Sequence, residues 1–111
     1  MTRNVRQYAT WPDNLTYVSV AQGAAGTTEL AAAVTGQKHK VMGAILVMDA
    51  AGTLKFTGTA DLTGAMDLAA NAGFVLPNNP LPYMQSSVGV ALSLVTTVGK
   101  AKGIVIIKTE G

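Results

Sequence analysis

The segment Lys40–Ala50, KVMGAILVMDA, is the strongest indication of how this chain folds, because it is apolar at every position from Val41 to Met48. Successive side chains of a β-strand point to opposite faces, so alternate positions give two apolar faces. One face contains Val41, Gly43, Ile45 and Val47, and the other contains Met42, Ala44, Leu46 and Met48. A strand at the rim of a solvated sheet has polar residues on one face. We therefore expect a central strand with one face in the core and the other against a second layer or another subunit. A buried helix is the competing interpretation, and the short length and flanking turn residues favour a strand.

The composition of the chain indicates one domain that is buried within an assembly. The sequence has 111 residues, of which 49% are hydrophobic and only 13% charged. The charged share is about half of that in an average globular protein. Low charge leaves a poorly solvated surface, although a surface rich in Thr, Ser and Asn would also suffice. The net charge of +2 argues against a dedicated nucleic-acid binder, which needs basic residues gathered on one face.

The absence of cysteine excludes a disulfide framework, a thiolate metal site and a cysteine nucleophile. The first residues, MTRNVRQYATWPDN, lack the apolar core of a signal peptide. No apolar run reaches the length of a membrane span. We expect a soluble protein that is made without export and binds no cofactor.

The N-terminal residues 1–14 are predicted to form an extended arm before a β-sandwich domain of residues 15–111. Pro12 disfavours helix at the residue before it, and Pro12-Asp13-Asn14 is typical of a turn. Arginine, tyrosine and tryptophan dominate binding hot spots. An arm that orders on docking and a frayed terminus are both consistent with this segment, whose candidate contact residues are Arg3, Arg6, Tyr8 and Trp11.

Short β-branched segments separated by glycine and proline turns predict eight or nine strands, the pattern of an all-β sandwich. A two-sheet jelly roll is the most economical architecture for this number. We expect a hairpin between the central strand and Thr53–Thr59, and a bulge at Gly64. The predicted strands are Leu15–Ala21, Thr28–Val34, Lys40–Ala50, Thr53–Thr59, Leu62–Ala69, Gly73–Leu76, Tyr83–Ser87, Val90–Thr97 and Gly103–Thr109.

Residues for catalysis are few. Asp61 and Asp67 flank LTGAM and are the one candidate carboxylate pair for a glycosidase, but each lies beside a turn, where aspartate normally bonds the backbone. His39, the only histidine, lies between two lysines and is predicted to be a solvated turn residue. One histidine without cysteine gives no recognisable zinc site. We expect no enzyme activity.

Four lysines have two possible arrangements. Lys38 and Lys40 form a small basic patch with Lys100 and Lys102 if the two loops meet. Solvated lysines at a rim are the more common state.

Residues 27–110 contain TELAAAVTGQKHKVMGAILV, then FTGTADLTGAMDLAANAGFVLPNNP, then a hydrophobic strand preceded by glycine. The segment LTGAM followed by LAAN is the most telling part. In these segments the chain resembles the jelly-roll capsid decoration (staple) proteins of epsilon15-like tailed bacteriophages. The resemblance covers about three-quarters of the chain and involves no catalytic motif.

The resemblance implies a structural virion protein on the outer capsid surface, made in the host cytoplasm. Such a protein bridges neighbouring major capsid protein subunits, resists internal DNA pressure, and forms a homodimer or higher homo-oligomer on the shell. The candidate interface residues, for capsid or self contacts, are Arg3, Arg6, Tyr8, Trp11, Met42, Leu46 and Met48. A glycan-binding module is the alternative, with Asn78, Asn79 and Tyr83 as its candidate site.

Overall fold

The computed structural model describes residues 15–111, which form nine β-strands and no helix. No helix in this part of the chain is therefore available to cross a membrane. The strands are β1 (Leu15–Ala21), β2 (Thr27–Ala31), β3 (Lys38–Met48), β4 (Gly52–Thr57), β5 (Met66–Leu68), β6 (Gly73–Leu76), β7 (Met84–Gln85), β8 (Leu92–Thr97) and β9 (Ala101–Glu110).

The strands form two antiparallel sheets. The first sheet has the order β1-β9-β3-β6, with β7 also paired to β3, and the second has the order β2-β8-β4-β5. The short strands β6 and β7 bond successive parts of β3, at residues 44–47 and 40–41, so together they act as one interrupted strand. The pairs are then nested, β1 with β9, β2 with β8, β3 with β6/β7 and β4 with β5. This is the jelly-roll arrangement, and it confirms the predicted sandwich.

The core lies between the sheets and is built from alternate residues of the long strands. In β4 the inward residues are Leu54 and Phe56, as the sequence predicts, and both are fully buried. They pack in one cluster with eleven further buried apolar residues, which are Val20, Leu30, Val41, Ala44, Leu46, Met48, Leu92, Leu94, Ala101, Val105 and Ile107.

Strand β3 is central in its sheet, between β9 and the interrupted strand β6/β7, which confirms the prediction from KVMGAILVMDA. Its register with β9 shifts between Val41 and Gly43, which marks a bulge. Because a bulge adds one residue to one strand, it changes which side chains face inward. Val41 faces the core before the bulge, and Ala44, Leu46 and Met48 face it afterwards.

The predicted hairpin between β3 and β4 is wrong, because the two strands lie in different sheets. Both strands have a complete apolar stripe, and these stripes pack face to face across the core, with Leu46 and Met48 in the same cluster as Leu54 and Phe56. A hairpin would have placed them side by side in one sheet. The turn after Met48 therefore crosses between the sheets.

The predicted bulge at Gly64 is also wrong, since β5 begins only at Met66. The backbone N–H groups of Leu62 and Thr63 both donate to the carbonyl oxygen of Phe56, at 2.8 and 3.3 Å. These bonds form a tight turn where the sequence predicts the start of a strand. Besides the shift in β3, a register shift occurs in β2, between Glu29 and Ala31.

A buried glutamine joins the two sheets at one end of the sandwich. The Gln22 Nε2 group donates to the Gly26 carbonyl oxygen at 3.1 Å and to the Thr28 hydroxyl at 2.9 Å. Its Oε1 atom accepts from the Thr96 hydroxyl at 2.7 Å and from the Ala101 N–H at 2.8 Å. Every polar group of this buried side chain is thus satisfied, as burial requires.

Candidate binding surface

The outward side of the first sheet presents a continuous apolar surface. Strand register aligns Ser19, Ile104, Ile45 and Val75 in one row across four strands. The adjacent row contains Tyr17 and Ile106, which are paired between β1 and β9. We define the outer apolar face as Tyr17, Ile45, Val47, Val75, Ile104 and Ile106.

The outer apolar face is exposed to a degree that is unusual for such residues. Tyr17 is 62% exposed, Val75 61%, Ile45 54%, and Val47 and Ile104 43% each. Single exposed apolar residues are ordinary, whereas a contiguous patch on a small domain marks an interaction surface. This face is therefore the candidate binding surface.

Charged residues border this face at both ends. Lys102 lies beside Val47 at one end. At the other end Glu110 bonds Lys40, and Lys108 Nζ lies 3.3 Å from Glu110 Oε1. The hydrogen bonds from Lys40 and Lys108 lower the pKa of the Glu110 carboxyl. The Glu110 carboxyl is therefore ionised at neutral pH, and these charged residues border the apolar area.

Part of the predicted interface belongs to the core instead. Met42 is 1% exposed, and Leu46 and Met48 are fully buried. The bulge in β3 turns Leu46 and Met48 inward, so the outward apolar residues of this strand are Ile45 and Val47. The other candidates, Arg3, Arg6, Tyr8 and Trp11, lie outside the described residues.

The sequence signal for this surface was the apolar character of both faces of KVMGAILVMDA, together with GIVIIKT in β9. The apolar pattern does not show which face of β3 points outward, because both faces are apolar. Tyr17, Val75, Ile104 and Ile106 were missed because each lies in a strand whose pairing the sequence does not fix.

A hollow lies on the outer apolar face beside Gly43, where the chain passes closely over β3. A side-chain Cβ atom at Gly43 would meet the Leu76 carbonyl oxygen at 3.0 Å and the Asn78 Cα atom at 3.2 Å. The hollow has a volume of about 180 Å³, and its lining includes Tyr17, Ile106 and Pro77. Asn78 also lines it, and the buried Oδ1 atom of Asn78 has no hydrogen-bond partner among the described residues.

A second apolar cleft opens between the sheets, at the edge formed by the short strands β5, β6 and β7. It has a volume of about 460 Å³. The Thr63 hydroxyl in its lining accepts a hydrogen bond from the Phe56 N–H at 3.1 Å. The cleft is lined mainly by apolar side chains; its residues are Phe56, Thr63, Met66, Leu68, Phe74, Leu76, Tyr83 and Met84.

His39 is a buried strand residue, which corrects the prediction of a solvated turn histidine. It is 2% exposed. Its Nδ1 atom lies 2.8 Å from the Thr109 hydroxyl, and its Nε2 atom lies 2.7 Å from the Ala32 carbonyl oxygen. Strand β3 begins earlier than predicted, at Lys38, because its pairing with β9 continues to Glu110. That pairing brings the histidine beneath the sheet.

The two candidate carboxylates, Asp61 and Asp67, have separate surroundings. Asp61 forms an ion pair with Lys55 at 3.1 Å, and Asp67 lies opposite Thr53 on the edge strand β5. Within residues 15–111, no group of three or more His, Cys, Asp or Glu side chains is placed to hold a metal ion.

The four lysines do not form one basic patch. Lys38 and Lys40 lie where β3 begins, and Lys100 and Lys102 lie where β9 begins. Because β3 and β9 are antiparallel, the start of β3 lies beside the end of β9. The two pairs of lysines are therefore at opposite ends of these strands.

In the loop of residues 77–83, the side chains of Asn79 and Tyr83 bond to backbone groups of the same loop. The Tyr83 hydroxyl donates to the Pro77 carbonyl oxygen at 2.7 Å, and Asn79 Oδ1 accepts from the Leu81 N–H at 3.2 Å. Nothing in this geometry favours the glycan-binding alternative. No protein-family model, curated protein or solved structure matches this chain.

Proposed function

We propose that this protein is a structural virion protein that binds the outer surface of an assembled phage capsid. It links neighbouring major capsid protein subunits and so stabilises the shell against internal DNA pressure. It has no catalytic role. The observation that supports the proposal is the outer apolar face, a strip of exposed apolar residues across four strands in a chain with only 13% charged residues.

The physical argument begins with what a sandwich needs for its own stability. Each sheet has to bury one face, and the outer side of an antiparallel sheet is normally polar. Here the outward positions Ile45, Val75 and Ile104 are apolar although they contribute little to the core. Covering them with a partner removes apolar surface from water, which favours association by about 25 cal/mol for each Å².

The choice of a capsid as partner rests on the sequence resemblance of residues 27–110 to capsid decoration proteins. A ligand that binds only the assembled shell stabilises the shell by mass action, and many copies with modest interfaces add together. Symmetry axes of a shell bring copies of the protein together, so we expect a homodimer or higher homo-oligomer there.

The test is co-sedimentation of the purified protein with undecorated capsids of the phage that encodes it, and with free capsid subunits. We expect saturable binding to shells and none to free subunits. Ile45→Asp places a charge in the middle of the outer apolar face and should weaken binding at least tenfold, as expected for about 1.4 kcal/mol or more.

The matched control is Val88→Asp, since Val88 is 53% exposed and Ile45 is 54% exposed, and Val88 lies in a loop away from this face. Its binding should equal that of the wild type. Absence of binding to any shell would overturn the proposal. Equal loss in both variants would show that the outer apolar face is not the contact.

A further inference from the structure

We infer that two copies of this chain associate through β1, which pairs antiparallel with β1 of the second copy across a two-fold axis at Val18. Within residues 15–111, β1 pairs only with β9, so its other edge carries no strand there. The inference goes beyond the proposed function, because it concerns the protein free of any shell. It assigns an occupant to this edge and a register to the contact.

The other sheet edges in the described part of the chain have features that oppose pairing with another chain. An unpaired edge offers its backbone N–H and C=O groups to any strand, and proteins protect such edges with charges, bulges or very short strands. Strand β2 contains Glu29, and its register shifts directly after that residue. Strand β5 has three residues with Asp67 in the middle, and the edge formed by β6 and β7 is interrupted.

Strand β1 has none of these protective features. It has seven residues, LTYVSVA, with no charge and no proline. Its register with β9 is continuous from Leu15 to Ala21, so no bulge bends its edge away. Among the edges of residues 15–111, β1 is therefore the one suited to pairing with another strand.

The hydrogen bonding between β1 and β9 shows which backbone groups of β1 point to the open side. In an antiparallel pair, alternate residues bond the neighbouring strand, and the residues between them direct their groups the other way. The Gln22 N–H donates to the Ala101 carbonyl oxygen at 3.1 Å, and these two residues continue the register of β1 with β9. The even-numbered residues of β1 therefore bond β9. The backbone groups on the open side belong to Leu15, Tyr17, Ser19 and Ala21.

These open-side groups fit a second copy of the same strand in one register. With Val18 on the two-fold axis, Tyr17 lies opposite Ser19 of the second copy, and Leu15 lies opposite Ala21 of the second copy. Both strands direct backbone groups toward each other in every one of these pairs, so each pair forms hydrogen bonds. An axis at Tyr17 or Ser19 would leave one end of the strand unpaired. Because β1 has no charged residue, the contact places no like charges opposite each other.

This pairing has a consequence for the outer apolar face. The two-fold axis is perpendicular to the sheet, so both copies present that face on the same side. Tyr17 belongs to the strand at the contact, so the outer apolar faces of the two copies adjoin there. The pair of copies has one apolar surface of twice the extent. A partner with two binding sites for this surface gains from the linkage, since the second contact becomes intramolecular.

Cysteine cross-linking tests the register, since the chain has no cysteine of its own. Val18→Cys places two cysteines at a non-hydrogen-bonded pair on the axis, where Cα atoms are about 4.5 Å apart and a disulfide can form. Thr16→Cys is the matched control on the same side of β1. Thr16 lies opposite Val20 of the second copy, so its two cysteines are separated by roughly 14 Å along the strands, too far for a disulfide.

We expect oxidised Val18→Cys to migrate as a dimer in the absence of reducing agent, and Thr16→Cys to migrate as a monomer. Thr16 is exposed, whereas Val18 is half-buried. Random collisions would therefore cross-link Thr16→Cys at least as fast as Val18→Cys. Equal cross-linking of the two variants would overturn the inference, and so would absence of cross-linking in Val18→Cys.

Ser19→Pro tests the same contact without a cross-link. Proline has no N–H, and the Ser19 N–H points to the open side, so the change removes no hydrogen bond to β9. Ser19→Ala keeps the N–H and is the matched control. In sedimentation over a dilution series, we expect dimers of the wild type and of Ser19→Ala, and a dissociation constant raised about tenfold or more in Ser19→Pro.

A wild type that sediments as a monomer at every concentration contradicts the inference. A Ser19→Pro dimer as stable as that of the wild type also contradicts it, because the contact would then lie elsewhere. The cross-linking result does not depend on the folding of Ser19→Pro. Neither experiment contains a capsid, so failure of both would leave the proposed function to be judged by co-sedimentation alone.

Discussion

His39 and Thr109 are direct partners across β3 and β9, and the His39 Nδ1 atom lies 2.8 Å from the Thr109 hydroxyl oxygen. On its other side the ring reaches the Ala32 carbonyl oxygen, 2.7 Å from Nε2, just after β2 of the opposite sheet. A carbonyl oxygen only accepts, so Nε2 bears a hydrogen, and in the neutral ring Nδ1 accepts from Thr109. One side chain thus joins the two sheets at the end opposite Gln22.

Replacement of His39 by alanine should destabilise the fold by about 3 kcal/mol. The change removes a buried ring and leaves the Ala32 carbonyl oxygen without this partner. Thr109→Val removes one hydroxyl and should cost only about 1 kcal/mol. Urea denaturation measures both. A His39→Ala midpoint equal to that of the wild type would show that the ring does not hold the sheets together.

Substitution of Gly103 by alanine should disrupt the pairing of β9 with β3. Gly103 has a φ of 146°, and a Cβ atom there would lie 1.8 Å from the Ile45 carbonyl oxygen. The added atom meets backbone, which cannot move without breaking the sheet, so we expect a loss of about 3 kcal/mol or more.

Gly64→Ala is the matched control for Gly103, because an added Cβ atom at Gly64 meets nothing within 4 Å. Its free energy of unfolding should change by less than about 0.5 kcal/mol. Equal unfolding midpoints for the two variants would contradict the close approach of β9 to β3.

Truncation of two neighbouring residues of β3 should destabilise the fold by very different amounts. Leu46 is fully buried and Ile45 is 54% exposed. Leu46→Ala removes core volume and should cost about 2–5 kcal/mol, whereas Ile45→Ala should cost about 1 kcal/mol or less. Thermal unfolding of the two variants measures the difference, and the reverse order would contradict the inward orientation of Leu46.

The stability of the fold should decrease as the pH falls below the ordinary carboxyl pKa of roughly 4. A hydrogen bond from the Lys100 backbone N–H, at 2.7 Å, lowers the pKa of Asp49, and bonds from Lys40 and Lys108 lower that of Glu110. A carboxyl with a lowered pKa in the folded state stabilises it above the pKa of the unfolded state. That contribution is lost as the pH falls through the folded pKa.

Melting temperatures of the wild type and of the double variant Asp49→Asn with Glu110→Gln, each at pH 7 and pH 3, test this dependence. The drop between the two pH values should be smaller in the double variant. Lys55 and Asp61 remain as an unaltered ion pair in both proteins. An equal drop would show that these two carboxyl groups do not contribute to acid sensitivity.

Local patterns predicted most strands because each pattern reports a property of a few adjacent residues. Leu15–Ala21 and Gly73–Leu76 were predicted with their observed bounds, and Leu54 and Phe56 were predicted as inward residues. Alternation of apolar and polar residues in these segments needs no knowledge of a partner strand.

The failures have a common cause, which is pairing between distant parts of the chain. His39 is buried because β9, some 70 residues later, continues along β3 as far as Glu110. Asp49 and Lys100 likewise meet only because the turns before β4 and before β9 are adjacent in space. No local pattern contains that information.

Period-2 alternation and turn residues are local signals, so they are enough to predict an all-β domain organised around an apolar central strand. Which face of that strand is free depends on its pairing with distant strands. A single bulge between Val41 and Gly43, imposed by the pairing of β3 with β9, turns Leu46 and Met48 into the core and Ile45 and Val47 outward. A shift of one residue exchanges the two faces of a strand, and two apolar faces look alike until a partner strand sets the register.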